Sequence, residues 1–78
     1  MTVSKMAKWL RRDGWTVTKR DRLYCATKPN IEAKITYYPN GPDTPEATAV
    51  CIGVSSLDGT LQPTYCDSLA QAERLAER

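Results

Sequence analysis

Apolar residues in the first dozen positions recur every three or four places. Val3, Met6, Ala7 and Leu10 share one arc when successive residues are turned by about 100°. Lys5, Lys8 and Arg12 fall on the opposite side, Arg11 lies to one flank, and Trp9 sits at the border. This spacing predicts an amphipathic helix over residues 3–12. Thr2 is placed to accept from the first free amides, and Gly14 to take the left-handed conformation that ends a helix. The bases crowd towards its C-terminal half, where the peptide dipoles favour positive charge.

The pattern then shifts to a period of two. Trp15-Thr16-Val17-Thr18 and Leu23-Tyr24-Cys25-Ala26-Thr27 read as a hairpin joined by a charged turn over Lys19–Arg22. After the break at Pro29-Asn30, residues 31–37 alternate most clearly. Ile31, Ala33, Ile35 and Tyr37 face inward, and Glu32, Lys34 and Thr36 outward. The eight residues Pro39–Glu46 carry three prolines and a glycine and are expected to form a loop.

Residues 47–55 follow as a strand, with Val50, Ile52 and Val54 on one face and Ala49, Cys51 and Gly53 on the other. Apolar residues on both faces predict a central place in the sheet. Leu57-Asp58-Gly59 is a turn, and Thr60–Tyr65 an edge strand limited by Pro63. Ser68 with Gln71 fits a capping box at the start of a last helix, whose stripe is Leu69, Ala72, Leu75 and Ala76. The chain therefore reads as one small α+β domain over residues 1–78. Its antiparallel meander of four to five strands is flanked by an N-terminal and a C-terminal helix, in the order α-β-β-β-β-(β)-α.

Charge sharpens this picture. Residues 1–29 hold eight bases against two acids, a net of +6, and residues 30–78 hold three bases against seven acids, a net of −4. The modest total of +2 thus conceals a basic and an acidic region. Three cysteines, Cys25, Cys51 and Cys66, form no CxxC and no even set, so they are expected to be reduced and mostly buried. No apolar run approaches the roughly 18 residues of a membrane-spanning helix. The first residues lead straight into charge without the apolar core of a signal peptide, so the expected address is cytoplasmic.

The chemistry expected of an enzyme is missing. There is no histidine, the usual general base and metal ligand near neutral pH. The four glycines are scattered and build no phosphate-cradling loop. Carboxylates are isolated, Asp43 and Glu46 being the nearest to a pair. No catalytic residue, cofactor or metal ligand is expected.

Four surfaces remain as candidates for binding. The first is the basic helix face with the charged turn, comprising Lys5, Lys8, Arg11, Arg12, Arg20 and Arg22 beside Trp9 and Trp15. Bases next to aromatics suit phosphate contact and base stacking. The second is the tyrosine set, where adjacent Tyr37 and Tyr38 must point to opposite faces, leaving Tyr38 the candidate for solvent. The third is the proline loop, and the fourth the outer edge of the Pro63 strand.

The element order is similar to that of the double-stranded-RNA-binding domain. That family holds phosphates with a lysine cluster at the start of its second helix, where this chain has Asp67, Ser68, Gln71 and Glu73. In size, absence of motifs, lack of histidine and sheet-plus-helices plan, the chain resembles phage-encoded accessory proteins, including inhibitors of the anti-CRISPR type. That resemblance implies a non-enzymatic protein-binding module whose partner is a larger protein or ribonucleoprotein complex. Two other readings stand beside it: nucleic-acid binding through the basic helix face, and a small subunit of a larger assembly. No membrane partner is expected.

Overall fold

The computed structural model describes residues 1–60 and 62–78. Its elements are α1 (Val3–Arg12), β1 (Thr16–Arg20), β2 (Leu23–Thr27), β3 (Ala33–Pro39), β4 (Ala49–Ser56), β5 (Thr64–Tyr65) and α2 (Leu69–Ala76). The strands form one antiparallel meander in the order β1-β2-β3-β4-β5. The predicted order of elements holds throughout.

Local chemistry sets the ends of both helices. The Thr2 hydroxyl accepts from the Lys5 amide at 3.1 Å, while the Val3 and Ser4 amides donate to the Ala47 and Pro45 carbonyls. The first turn of α1 is thereby satisfied and tied to the segment before β4. At the other end Gly14, with φ of 94°, lets its amide reach the Arg11 carbonyl and the Trp15 amide reach that of Leu10. This paired closure drops Trp15 back onto Leu10 in the core. On α2 the Ser68 hydroxyl accepts from the Gln71 amide, and the Gln71 side chain accepts from the amide of Asp67. The expected box is present, with its return bond one residue earlier than the usual pattern.

Both helices pack on one face of the sheet. Val3, Met6 and Leu10 of α1 and Leu69, Ala72 and Ala76 of α2 join Trp15, Ala26, Ile35, Tyr37, Ala49 and Val54 in one cluster. Trp9, Val17, Tyr24, Ile52 and Leu75 are half-buried against it. Tyr24 and Tyr37 stack within that face, with ring centroids 5.1 Å apart and planes 7° from parallel.

Four expectations need correction. Between β1 and β2 the turn is only Asp21-Arg22, because Lys19 and Arg20 pair with Tyr24 and Leu23. The third strand starts at Ala33 and runs through Pro39, so Ile31 precedes it and the loop spans residues 40–48.

The faces of β4 are also different from those read off simple alternation. Thr36 lies opposite Gly53 but Tyr38 lies opposite Val50, so β4 carries one extra residue against Tyr37. Cys51 accommodates it with φ of 56°. The bulge resets the alternation, putting Ala49, Ile52 and Val54 on the core face and turning Val50 away. Finally, the regular edge strand is confined to Thr64–Tyr65, and Leu61 of the expected 60–65 strand lies outside the described residues.

With both helices on one side, no helix among the described residues covers the other side of the sheet, the bare face, where the Pro63 and Tyr65 side chains approach Gly53. Through the register it presents Arg20 and Leu23; Tyr38 and Val50; Thr18, Cys25, Thr36, Gly53 and Tyr65; and Lys34 with Ser55. None of the residues on these rows is acidic.

Candidate macromolecule-binding surfaces

The outer face of α1 is built as its spacing requires. Lys5, Lys8, Arg11 and Arg12 are exposed, and among the described residues none of them forms an ion pair. Lys5, Lys8 and Arg12 surround a shallow depression completed by Met1 and Trp9. The Arg12 guanidinium lies over the Trp9 ring, 5.6 Å from its centroid. Arg11 stands apart on the flank beside Tyr24 and Pro45.

Trp9 serves two purposes at once. Its ring borders the basic row, while its indole N–H donates to Glu73 Oε1 at 2.8 Å. Trp15 donates to Glu73 Oε2 at 3.3 Å. One carboxylate from α2 therefore holds both indoles, joining α2 to α1 and to the start of the sheet. Burial raises the Glu73 pKa, and the nearby Asp13 carboxyl raises it further, against the pull of the indole bonds.

The remaining basic candidates go to other tasks. The Arg22 guanidinium donates to the carbonyls of Pro39 and Gly41. Lys19 forms an ion pair with Asp43, whose other carboxylate oxygen accepts from the Tyr24 hydroxyl at 3.2 Å. These bonds hold the proline loop against the β1–β2 hairpin. Hydrogen bonding to Lys19 keeps the Asp43 carboxyl below its ordinary range, and the same bond raises Lys19. Arg20 lies on the bare face of the sheet, away from α1. The single basic patch expected from sequence is thus divided among an α1 row, a loop clamp and the opposite sheet face.

Tyr38 is exposed at 41%, and Tyr65 at 67%; both belong to the bare face. Tyr37, on the core side, is fully buried, which pushes its phenol up to about 12. Position 53 is glycine where the Pro63 and Tyr65 side chains approach, since an added Cβ would lie 3.3 Å and 3.4 Å from them.

The other perturbed groups have structural partners. Asp58 is held down to about 2 by the Thr60 amide, with the Ser56 and Thr60 hydroxyls adding to it, all within the turn after β4. All three cysteines are free thiols, Cys51 exposed and the other two half-buried, so none is as deeply buried as expected. Burial raises the Cys25 and Cys66 thiols. Among the described residues no three His, Cys, Asp or Glu side chains gather where they could hold a metal ion, and no helix is long and apolar enough to cross a membrane.

No protein-family model, curated protein or solved structure matches this chain.

The Glu73 and Asp43 clamps escaped the sequence reading. Each joins residues far apart in the chain, and a lone carboxylate carries no local signal of its partner.

Proposed function

We propose that this chain is a non-enzymatic binding module that docks an acidic surface of a larger protein or ribonucleoprotein complex through the outer face of α1. The observation that carries this reading is the row of Lys5, Lys8 and Arg12, without an ion-pair partner among the described residues, around an apolar floor of Met1 and Trp9. Three cations kept together without carboxylate partners are electrostatically unfinished, and a complementary acidic surface completes them. The half-buried Trp9 ring adds the kind of rigid apolar contact that anchors protein interfaces. Its sharper form is a phage-type inhibitor of a host defence complex, anti-CRISPR-like in character, and it rests on the small, histidine-free, motif-free plan.

A non-catalytic role agrees with how the carboxylates are used. Asp43 holds the proline loop, Asp58 its own turn and Glu73 the two indoles. Each of these three is engaged in holding the fold.

The test is Lys5→Gln, Lys8→Gln and Arg12→Gln together. Solvated charges contribute little to folding, so the unfolding midpoint is expected to stay almost unchanged. Capture of the partner complex from the native host should fall at least tenfold and lose most of its salt dependence. Capture that survives nuclease supports a protein surface. Loss on nuclease treatment transfers the α1 row to nucleic acid, and undiminished capture by the triple variant removes the row from the interface.

A further inference from the structure

We infer that the helix-free face of the sheet binds single-stranded nucleic acid, independently of the α1 row. Two exposed rings, Tyr38 on β3 and Tyr65 on β5, stand on this face with β4 between them. Adjacent strands lie about 4.8 Å apart, so the rings are separated by roughly 10 Å across the sheet. Tyr38 is level with Val50 and Tyr65 with Gly53, which adds an offset along the strands. Rings so far apart serve two different bases of one strand.

Charge and shape select the same ligand. The bare face carries Lys34 and Arg20 and no carboxylate on its strand rows. Phosphates therefore meet cations without local repulsion, while hydroxyls such as those of Thr36 and Ser55 offer hydrogen bonds to base edges. Gly53 matters here because it lets Pro63 and the Tyr65 ring lie close on the sheet, where an added Cβ would stand 3.3 Å and 3.4 Å from them. Glu32 and Asp58 line a hollow where β3 begins and β4 ends, the end opposite the 40–48 loop, so the strand is expected to run from Tyr65 past Tyr38 towards Arg20.

A duplex offers these rings less. Its bases hide their faces in the stack, and its grooves admit helices or narrow ribbons rather than a broad sheet. A single strand can splay its bases onto the tyrosines, and stacking tolerates any sequence.

The experiment is fluorescence anisotropy at low salt with labelled oligothymidylate, oligouridylate and a mixed-sequence DNA duplex of equal length. The single strands are expected to bind at least tenfold tighter than the duplex. Tyr38→Ala with Tyr65→Ala should weaken them about twentyfold or more, the effect of losing two stacked bases. Tyr38→Phe with Tyr65→Phe keeps the ring faces and should retain binding to within about threefold, while Lys34→Gln should reduce the salt slope. Circular dichroism checks that each variant folds.

The α1 triple variant should bind single strands nearly as well as the unaltered protein, which separates this proposal from the reading of the α1 row. Absence of saturable single-strand binding overturns the proposal. So does equal affinity for the duplex, or binding lost in the α1 triple variant but kept in the double alanine variant. Tyrosine-dependent binding of a polyglutamate peptide, without any of oligonucleotide, would assign the face to acidic protein and overturn it as well.

Discussion

Cys51 occupies a left-handed backbone conformation inside a strand, with φ of 56°. Its Cβ is crowded against the neighbouring carbonyl there, at a cost on the order of 1 kcal/mol or more for an L-residue. Glycine removes that crowding, although its freer unfolded chain offsets part of the gain. Cys51→Gly is therefore expected to hold or slightly raise stability. Cys51→Val adds a branched Cβ at the same positive φ and should destabilise by about 1–2 kcal/mol. Urea denaturation of both variants beside the unaltered protein checks the pair. If valine is tolerated as well as glycine, the bulge does not impose the strain described.

The helices are joined by one acid. Glu73→Ala leaves two indole N–H groups without their acceptor and should destabilise by about 1–3 kcal/mol. Glu73→Gln keeps one acceptor oxygen and should cost less. The pH dependence has a definite sign, because the folded state raises the Glu73 pKa above its ordinary value. The folded state therefore binds the Glu73 proton more tightly than the unfolded chain does. The stability this adds is fully present below the ordinary glutamate range and is lost as pH rises through the folded value. Glutamine cannot titrate, so the stability of the unaltered protein relative to Glu73→Gln should increase on going from pH 7 to pH 4. Chemical denaturation at the two pH values measures the difference. A relative stability that falls on acidification would mean that the indole bonds outweigh burial and Asp13.

At the scale of the whole molecule, a single core carries the fold. Ile35 lies at its centre in β3, with Val54 opposite on β4 and Ala26 opposite on β2. Truncating it removes buried surface and leaves a cavity between sheet and helices. Ile35→Ala should cost about 2–5 kcal/mol, a large fraction of the margin of so small a domain. A thermal midpoint unchanged by this substitution would contradict the packing described. The bare sheet face is another property of this scale, since it exists only because both helices pack on the same side.

The element order was legible in the chain because periodicity is local. Val3, Met6, Ala7 and Leu10 define the buried stripe of α1 without reference to any other element, and Thr2 and Gly14 mark its ends. Ile35, Tyr37 and Tyr38 likewise report their own faces by alternation. The phase of β4 was not legible, because its bulge arises from pairing with Tyr37, and one extra residue transfers Ala49 to the core and Val50 to the surface. The roles of the bases were not legible either. Lys8 and Arg22 look alike in sequence, but one points to solvent and the other grips the carbonyls of Pro39 and Gly41. Trp9 and Glu73 are separated by 64 residues and meet only when α2 packs beside α1. Sequence by itself determined the kind and order of the elements and, apart from β4, which side of each is apolar, since nearest-neighbour geometry suffices for both. Tertiary structure alone decided which charges are engaged and which face stays open, because both depend on partners that the fold brings together from distant parts of the chain.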